Sequence, residues 1–332
     1  MNLNSFETIE GLIGKTPMIG VKYRLNNKTG VIYVKYEHYN LTGSIKDRIV
    51  LYILREAFRD NKLKQGYIIT EATSGNTGVS LSAIGTLLGC KVVIFMPDWM
   101  SRERKQIIEA FGAQIISVSR EEGGFLKSIE LAKTLSEENP QAFLLNQFAN
   151  INNVKAHEET GREIYNHLKN KHSKIDAFVA GVGTGGTIIG VGRGLREIFP
   201  DIKIHPLEPQ ESPTLSTGYK VGFHRIQGIS DDFIPEIMNY GKYDEIVQAS
   251  DGDAIIMAQK LSRTFGLGVG ISSGANLIGA IKLQQQYGFD SVVATVFPDC
   301  NKKYLTTDLL KQEPVKDDYL APKVELLEIL PV

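Results

Sequence analysis

Cysteine is almost missing from this chain. Two occur in 332 residues, Cys90 and Cys300, too few for a disulfide framework and without metal-ligand spacing. That usage fits a reducing compartment, and a cytoplasmic location is expected. The six histidines are scattered and none forms an H-x-x-x-H pair, so no metal site is expected. An excess of one charge is also missing: 37 basic residues stand against 38 acidic ones, for a formal net charge of −1. Nothing here draws the chain to nucleic acid or to an anionic membrane surface. No apolar run approaches the roughly 18 residues of a membrane helix. Residues Met1 to Glu7 lack the basic and apolar regions of a signal peptide. There is no internal repeat and no low-complexity segment. Hydrophobic residues make up 42% of the chain, so a full core is expected, in one large or two medium domains.

What the chain does have is a set of polar, glycine-containing loops between apolar runs. In Glu71-Ala72-Thr73-Ser74-Gly75-Asn76-Thr77-Gly78, three hydroxyls and one carboxamide crowd into five positions. The run Tyr67-Ile68-Ile69 before it and the amphipathic run Val79 to Leu88 after it predict strand, tight loop, helix. The free N–H groups and positive dipole end of that helix would hold a small anion such as a carboxylate. An ordinary N-capping turn favours the same residue types.

Lys46 follows Thr42-Gly43-Ser44-Ile45, and Val50, Ile53, Leu54, Ala57 and Phe58 then recur at helical spacing. A lysine in a first turn opposes the macrodipole preference. The positive helix end would lower its pKa, and a neutral amine can serve as a Schiff-base nucleophile. From position alone, a solvated surface lysine is the alternative.

Through the middle of the chain strands and helices alternate, with strands at Lys91 to Met96, Gln114 to Val118 and Phe143 to Leu145. This is the α/β pattern of a mostly parallel sheet with helices on both faces. A further strand, Asp176 to Ala180, runs into Gly181-Val182-Gly183-Thr184-Gly185-Gly186-Thr187 and then a helix, which suits a phosphate cradle. Gly181, Gly183 and Gly186 also satisfy the G-x-G-x-x-G spacing of a dinucleotide fold, and Glu208 ends the next strand where such a fold carries its ribose acid. From Lys311 onward the chain is charged and interrupted by prolines, then apolar at Leu326, Leu327, Ile329 and Leu330, a composition suited to docking on the body or on a partner.

Five motifs stand in order along the chain: Ser44-Ile45-Lys46-Asp47-Arg48, Thr73-Ser74-Gly75-Asn76-Thr77-Gly78, Gly183-Thr184-Gly185-Gly186-Thr187, Gln227-Gly228-Ile229 and Gly270-Ile271-Ser272-Ser273-Gly274. Together they resemble the cysteine synthase (O-acetylserine sulfhydrylase) and cystathionine β-synthase catalytic-core family. One such motif is weak; five in order outweigh the dinucleotide reading. The resemblance runs from about residue 7 to about 310 and implies a pyridoxal-phosphate enzyme of the tryptophan-synthase-β-like fold, fold type II, with two three-layer α/β/α domains and mostly parallel sheets. It implies that Lys46 carries the cofactor as an internal aldimine and then removes the substrate Cα proton. Gly183, Thr184, Gly185, Gly186 and Thr187 would hold the phosphate, Asn76 the ring hydroxyl, and Ser272 would face the pyridine nitrogen. Thr73, Ser74, Thr77 and Gln147 would bind the substrate α-carboxylate.

A hydroxyl at Ser272 brings no charge to keep the pyridine nitrogen protonated, so the ring is a weaker electron sink. Prompt expulsion of a β-substituent is then favoured, giving an aminoacrylate that a nucleophile attacks or that is released and hydrolysed to a keto acid. By the resemblance, residues 1–17 and 39–150 form a smaller mobile substrate-binding domain, 18–38 and 151–315 a larger cofactor-phosphate domain, and 316–332 a C-terminal tail. A homodimer is implied too.

The chain departs from the family at Ser230-Asp231-Asp232, where most sulfhydrylases carry Gly-Ala-Gly or similar small residues. Carboxylates there would repel hydrosulfide, by several tenths to roughly a few kcal/mol depending on burial. One of them, Asp232 before Asp231, can instead act as general base for water or a thiol, turning L-cysteine into L-serine and hydrogen sulfide. Two adjacent acids are also a common solvated turn. Synthesis of L-cysteine from O-acetylserine and sulfide, cystathionine β-synthase-like thiol exchange, and a nicotinamide oxidoreductase or silent binding protein are the competing functions. Cys300 is a second departure, standing where the family often has a hydroxyl near the pyridine side.

Overall fold

A computed structural model describes residues 4–73, 75–100 and 102–332. In chain order the elements are α1 (Asn4–Glu10), β1 (Met18–Leu25), β2 (Lys28–Tyr36), α2 (Lys46–Arg59), β3 (Ile68–Ala72), α3 (Asn76–Leu87) and β4 (Lys91–Pro97). Then come α4 (Arg102–Ala110), β5 (Gln114–Val118), α5 (Gly124–Glu138), β6 (Ala142–Leu144), α6 (Ile151–Leu168), β7 (Ala177–Gly181), α7 (Gly186–Arg196) and β8 (Lys203–Pro209). The chain ends through α8 (Thr214–Thr217), β9 (Val247–Ala249), α9 (Asp251–Phe265), α10 (Ile271–Tyr287), β10 (Val293–Phe297) and β11 (Glu325–Pro331). Two compact units result: residues Met1–Gly14 with Asn40–Ala156, and Lys15–Tyr39 with His157–Val332.

The first unit holds a four-stranded sheet in the order β5-β4-β3-β6, all parallel. In β4 the two-residue period sends Val92, Ile94 and Met96 into the core shared with α2, α3 and α4, and Val93 and Phe95 into a second core against α5. Both faces are covered, which is why β4 reads as a continuous apolar run and not as an alternating one.

The second unit holds a seven-stranded sheet in the order β11-β1-β2-β10-β7-β8-β9. Only β1 is antiparallel to its neighbours; the other pairs run parallel. Asn26 and Asn27, both with positive φ (49° and 62°), make the tight turn between β1 and β2. The segment expected to be a tail supplies β11, the edge strand paired with β1. Val21, Tyr23, Ile32, Val34 and Val293 form one core with α9 and α10. The fold is thus the expected α/β class, with β1 the one antiparallel strand of this sheet. No helix of the described residues is long and apolar enough to cross a membrane, and no cluster of His, Cys, Asp and Glu among them can hold a metal ion.

Candidate active site

In the first unit the site is built on the carboxyl end of β3. The Glu71 side chain, 3% exposed, turns back under the loop. Its Oε1 accepts from Ala72 N at 2.8 Å and its Oε2 from Gln147 N at 3.0 Å. Burial pushes this carboxyl up to about 7, against the lowering effect of N–H groups from Gln147, Ala72 and Asn146. Gln147 in turn donates from Nε2 to Ala72 O at 2.9 Å and accepts from Thr77 Oγ1 at 2.7 Å. Gly75 N donates to Thr73 Oγ1 at 3.1 Å. Thr77 and Gln147 are therefore joined in one buried network with Glu71, and Thr73 is buried beside Ala72, which that network holds; Ser74 lies outside the described residues. Asn76 is the first residue of α3, whose N-cap is Gly75 with no side-chain cap, and the positive end of this helix suits an anion. A Cβ at Gly78 would sit 2.9 Å from Thr73 Cγ2 and from Ile108 Cδ1, so this turn needs glycine to bring the helix close.

Lys46, half-buried, is the first residue of α2. Its neighbour Asp47 is fully buried and accepts from Thr42 N at 2.7 Å and from the hydroxyls of Thr42 and Ser80, each at 2.5 Å. Ser80 lies one turn into α3. The carboxylate of Asp47 thus ties the loop ahead of Lys46 to the helix that starts at Asn76. The roles of Asp47 and Glu71 were not foreseen, although an acid inside a motif or at the end of an apolar strand was the available signal.

In the second unit the chain turns from β7 into α7 through the glycine loop. Gly185 takes the left-handed φ of +83°, and α7 starts there without a side-chain cap. A Cβ at Gly183 would lie 2.3 Å from Gly228 O, so the loop and the Gln227-Gly228-Ile229 motif touch backbone to backbone. Gly181 N donates to Asn276 Oδ1 at 2.8 Å, while Asn276 Nδ2 donates to Val296 O at 2.8 Å. Thr184 Oγ1 accepts from Gly186 N at 3.4 Å, and Thr187 Oγ1 lies 3.3 Å from His157 Nε2. A close glycine cradle at the start of an eleven-residue helix fits a phosphate group. Ser272 is buried in the first turn of α10, the helix that also carries Asn276.

Glu208, the acid of the dinucleotide reading, has another task. Its Oε2 accepts from Leu215 N at 2.8 Å and Ser216 N at 3.3 Å at the start of α8, and its Oε1 accepts from Gln248 Nε2 at 3.0 Å. Its acceptors are engaged inside the fold. Asp231 is half-buried, and the Asp232 side chain is 44% exposed and paired with Lys220 at 2.5 Å. Cys300 is buried, in an antiparallel bridge with Val269.

The mostly parallel α/β fold, with a glycine loop suited to a phosphate in the second unit, is that of an enzyme using a phosphorylated cofactor. Residues 9–299 match the family model described as pyridoxal-phosphate dependent enzyme. The chain belongs to that family, within its cysteine synthase and cystathionine β-synthase group. It is 40% identical over 299 residues to a probable cysteine synthase of Bacillus subtilis, covering 90% of this chain and 96% of that one. Among solved structures, a hydrogen sulfide-producing enzyme from Fusobacterium nucleatum is 54% identical, with 100% of both chains covered and a TM-score of 0.96. The same enzyme as a D232N mutant, in complex with an α-aminoacrylate intermediate, is similar at the same identity and TM-score over 99% of this chain and 100% of that one. Cysteine synthase from Entamoeba histolytica is 36% identical, covering 97% of this chain and 93% of that one, with a TM-score of 0.81.

Proposed function

We propose that the protein converts L-cysteine and water into L-serine and hydrogen sulfide, with Asp232 as the base that activates the water. The observation that carries this reading is the place of the aspartate pair. Asp231 and Asp232 directly follow Ser230, whose N–H donates to Val182 O, inside the glycine loop, at 2.8 Å. Likeness to a hydrogen sulfide-producing enzyme, one of whose solved forms is a D232N mutant holding an α-aminoacrylate intermediate, supports it.

Pyridoxal phosphate, when bound, supplies the electron sink that lets the Cα proton and the β-substituent leave. The chain's own residues do the rest. The α7 loop, Gly183 to Thr187, holds the phosphate by backbone N–H groups. Lys46 anchors the cofactor and moves the proton at Cα. Thr73, Thr77 and Gln147, with Ser74, hold the α-carboxylate, so that the amino acid is fixed at one end. Asn76 and Ser272 would contact the cofactor ring, Ser272 as a neutral partner of its nitrogen. The Cβ–S bond breaks with its electron pair on sulfur, which leaves as hydrosulfide. A water oxygen then bonds to Cβ, its proton passes to the Asp232 carboxylate, and Lys46 returns the proton to Cα, which completes L-serine. The protein works as a homodimer in the cytoplasm in this reading.

A second reading, L-cysteine synthesis from O-acetylserine and sulfide, is favoured by the likeness to cysteine synthases. One assay separates the two. The enzyme is incubated with L-cysteine alone, and serine, pyruvate and sulfide are measured. Serine and sulfide in equal amounts are expected, with serine formation falling at least ~100-fold in Asp232→Asn, the usual scale of losing a general base. Sulfide with pyruvate and no serine would overturn the water-addition reading.

A further inference from the structure

Ser230 is one of six non-glycine residues among those described with positive φ, here +55°. That state is disfavoured for a residue bearing a Cβ, so something must hold it. Four contacts do. Its N–H donates to Val182 O at 2.8 Å, its Oγ donates to Ser212 O at 3.0 Å and lies 3.2 Å from Thr214 Oγ1, and its carbonyl accepts from His224 Nε2 at 3.1 Å. Ser212 and Thr214 are themselves buried, and Thr214 opens the short helix that Glu208 caps.

A carbonyl can only accept, so the ring proton of His224 sits on Nε2. Its Nδ1 is buried and makes no hydrogen bond among the described residues. Burial pushes this imidazole below its usual value, which keeps the ring neutral and the tautomer single. The peptide that delivers Asp231 is therefore clamped from three directions: the glycine loop through Val182, the start of α8 through Ser212 and Thr214, and His224 from the same segment.

We propose that Ser230 and His224 are positioning residues that hold the Asp231–Asp232 carboxylates in one orientation relative to the phosphate loop, and so set how much serine forms per sulfide released. The inference rests on the reading of Asp232 as base. Sulfide departure does not need that base. Water addition does, and where it fails the aminoacrylate left by loss of hydrogen sulfide is released and hydrolysed: L-cysteine and water give pyruvate, ammonia and hydrogen sulfide. The serine-to-pyruvate ratio therefore reports orientation, while the sulfide rate reports the earlier steps.

The test is that ratio in the holoenzyme given L-cysteine, with the visible cofactor band and the sulfide rate measured alongside. Ser230→Ala loses the hydroxyl contacts and keeps the unfavourable φ; the ratio is expected to fall ~10-fold, on the scale of a misplaced catalytic group. Ser230→Gly accepts the left-handed backbone and should fall less. His224→Ala should also lower the ratio, and His224→Gln, which keeps a donor near the Nε2 position, should restore it to within about twofold, a modest residual change for a retained hydrogen bond. Should Ser230→Ala fail to fold, the His224 pair decides alone. An unchanged ratio in Ser230→Gly and His224→Ala, or serine and sulfide falling together in proportion, would overturn the proposal. If Asp232→Asn itself leaves the ratio unchanged, it is the underlying reading that fails.

Discussion

Glu71 Oε2 accepts the peptide N–H of Gln147 at 3.0 Å, joining positions 76 apart in the chain. Through Gln147 this buried carboxyl also reaches Thr77, so a single acid sits behind the side chains proposed to bind the substrate carboxylate.

The folded-state value of Glu71, about 7, lies above that of an exposed carboxyl. The folded protein therefore holds this proton more tightly than the unfolded chain does. The stability that follows is fully present below about pH 4 and is lost as pH rises through 7, by on the order of 3 kcal/mol. Thermal unfolding followed from pH 5 to 8 should show the natural protein losing stability relative to Glu71→Gln, which cannot ionise. Parallel curves would mean that the carboxyl does not change its proton affinity on folding.

Thr77→Val removes the donor that Gln147 Oε1 accepts and leaves that oxygen buried and unpaired, a cost of about 1–3 kcal/mol. The expected kinetic result is a KM for L-cysteine raised ~10-fold with kcat much less affected, because the contact is made equally in ground and transition states. Thr77→Ser, which keeps the hydroxyl, should stay near the natural enzyme. A drop in kcat at constant KM would argue that Thr77 acts on the chemistry and not on binding.

At the glycine loop the prediction is steric. Alanine at position 183 would bring its Cβ to 2.3 Å from Gly228 O, a backbone atom that cannot swing aside. Gly183→Ala should lower affinity for pyridoxal phosphate at least ~10-fold, equivalent to about 1.4 kcal/mol. Titration of the cofactor into the apo-protein, followed by its visible absorbance, measures this directly. Unaltered affinity would place the phosphate elsewhere.

Much of this was legible before any coordinates, for reasons that differ by element. Strands β4 and β5 are marked by apolar content, and the helix starts at Lys46, Asn76 and Gly186 by glycine and hydroxyl residues, so local chemistry located them. Strand β1 was not read as a strand, although Asn26-Asn27 is a strong turn signal, and β11 finds its place only by pairing with β1. Glu208 satisfied a spacing rule yet caps α8, because spacing carries no information about which backbone N–H groups a carboxylate will meet. The grip on Ser230 was invisible for the same reason: its partners Val182, Ser212, Thr214 and His224 are set by tertiary packing.

Arg225 is a second fixed point of the loop that carries the aspartate pair. Its Nε and Nη2 donate to Asp251 at 3.0 and 2.6 Å, and its Nη1 and Nη2 each donate to Glu313 at 2.7 Å. The arginine side chain is 29% exposed, but those of Asp251 and Glu313 are only 9% and 7% exposed. Removing the cation leaves two nearly buried carboxylates without their main partner, and the cost of that exceeds the value of the pair itself. Arg225→Ala should destabilise the protein by about 3 kcal/mol, seen as a shift of the denaturant midpoint. Arg225→Lys should recover little of it, since an ammonium cannot serve both carboxylates with paired bonds in the same plane. If Arg225→Lys restores full stability, charge alone matters here and the forked geometry does not.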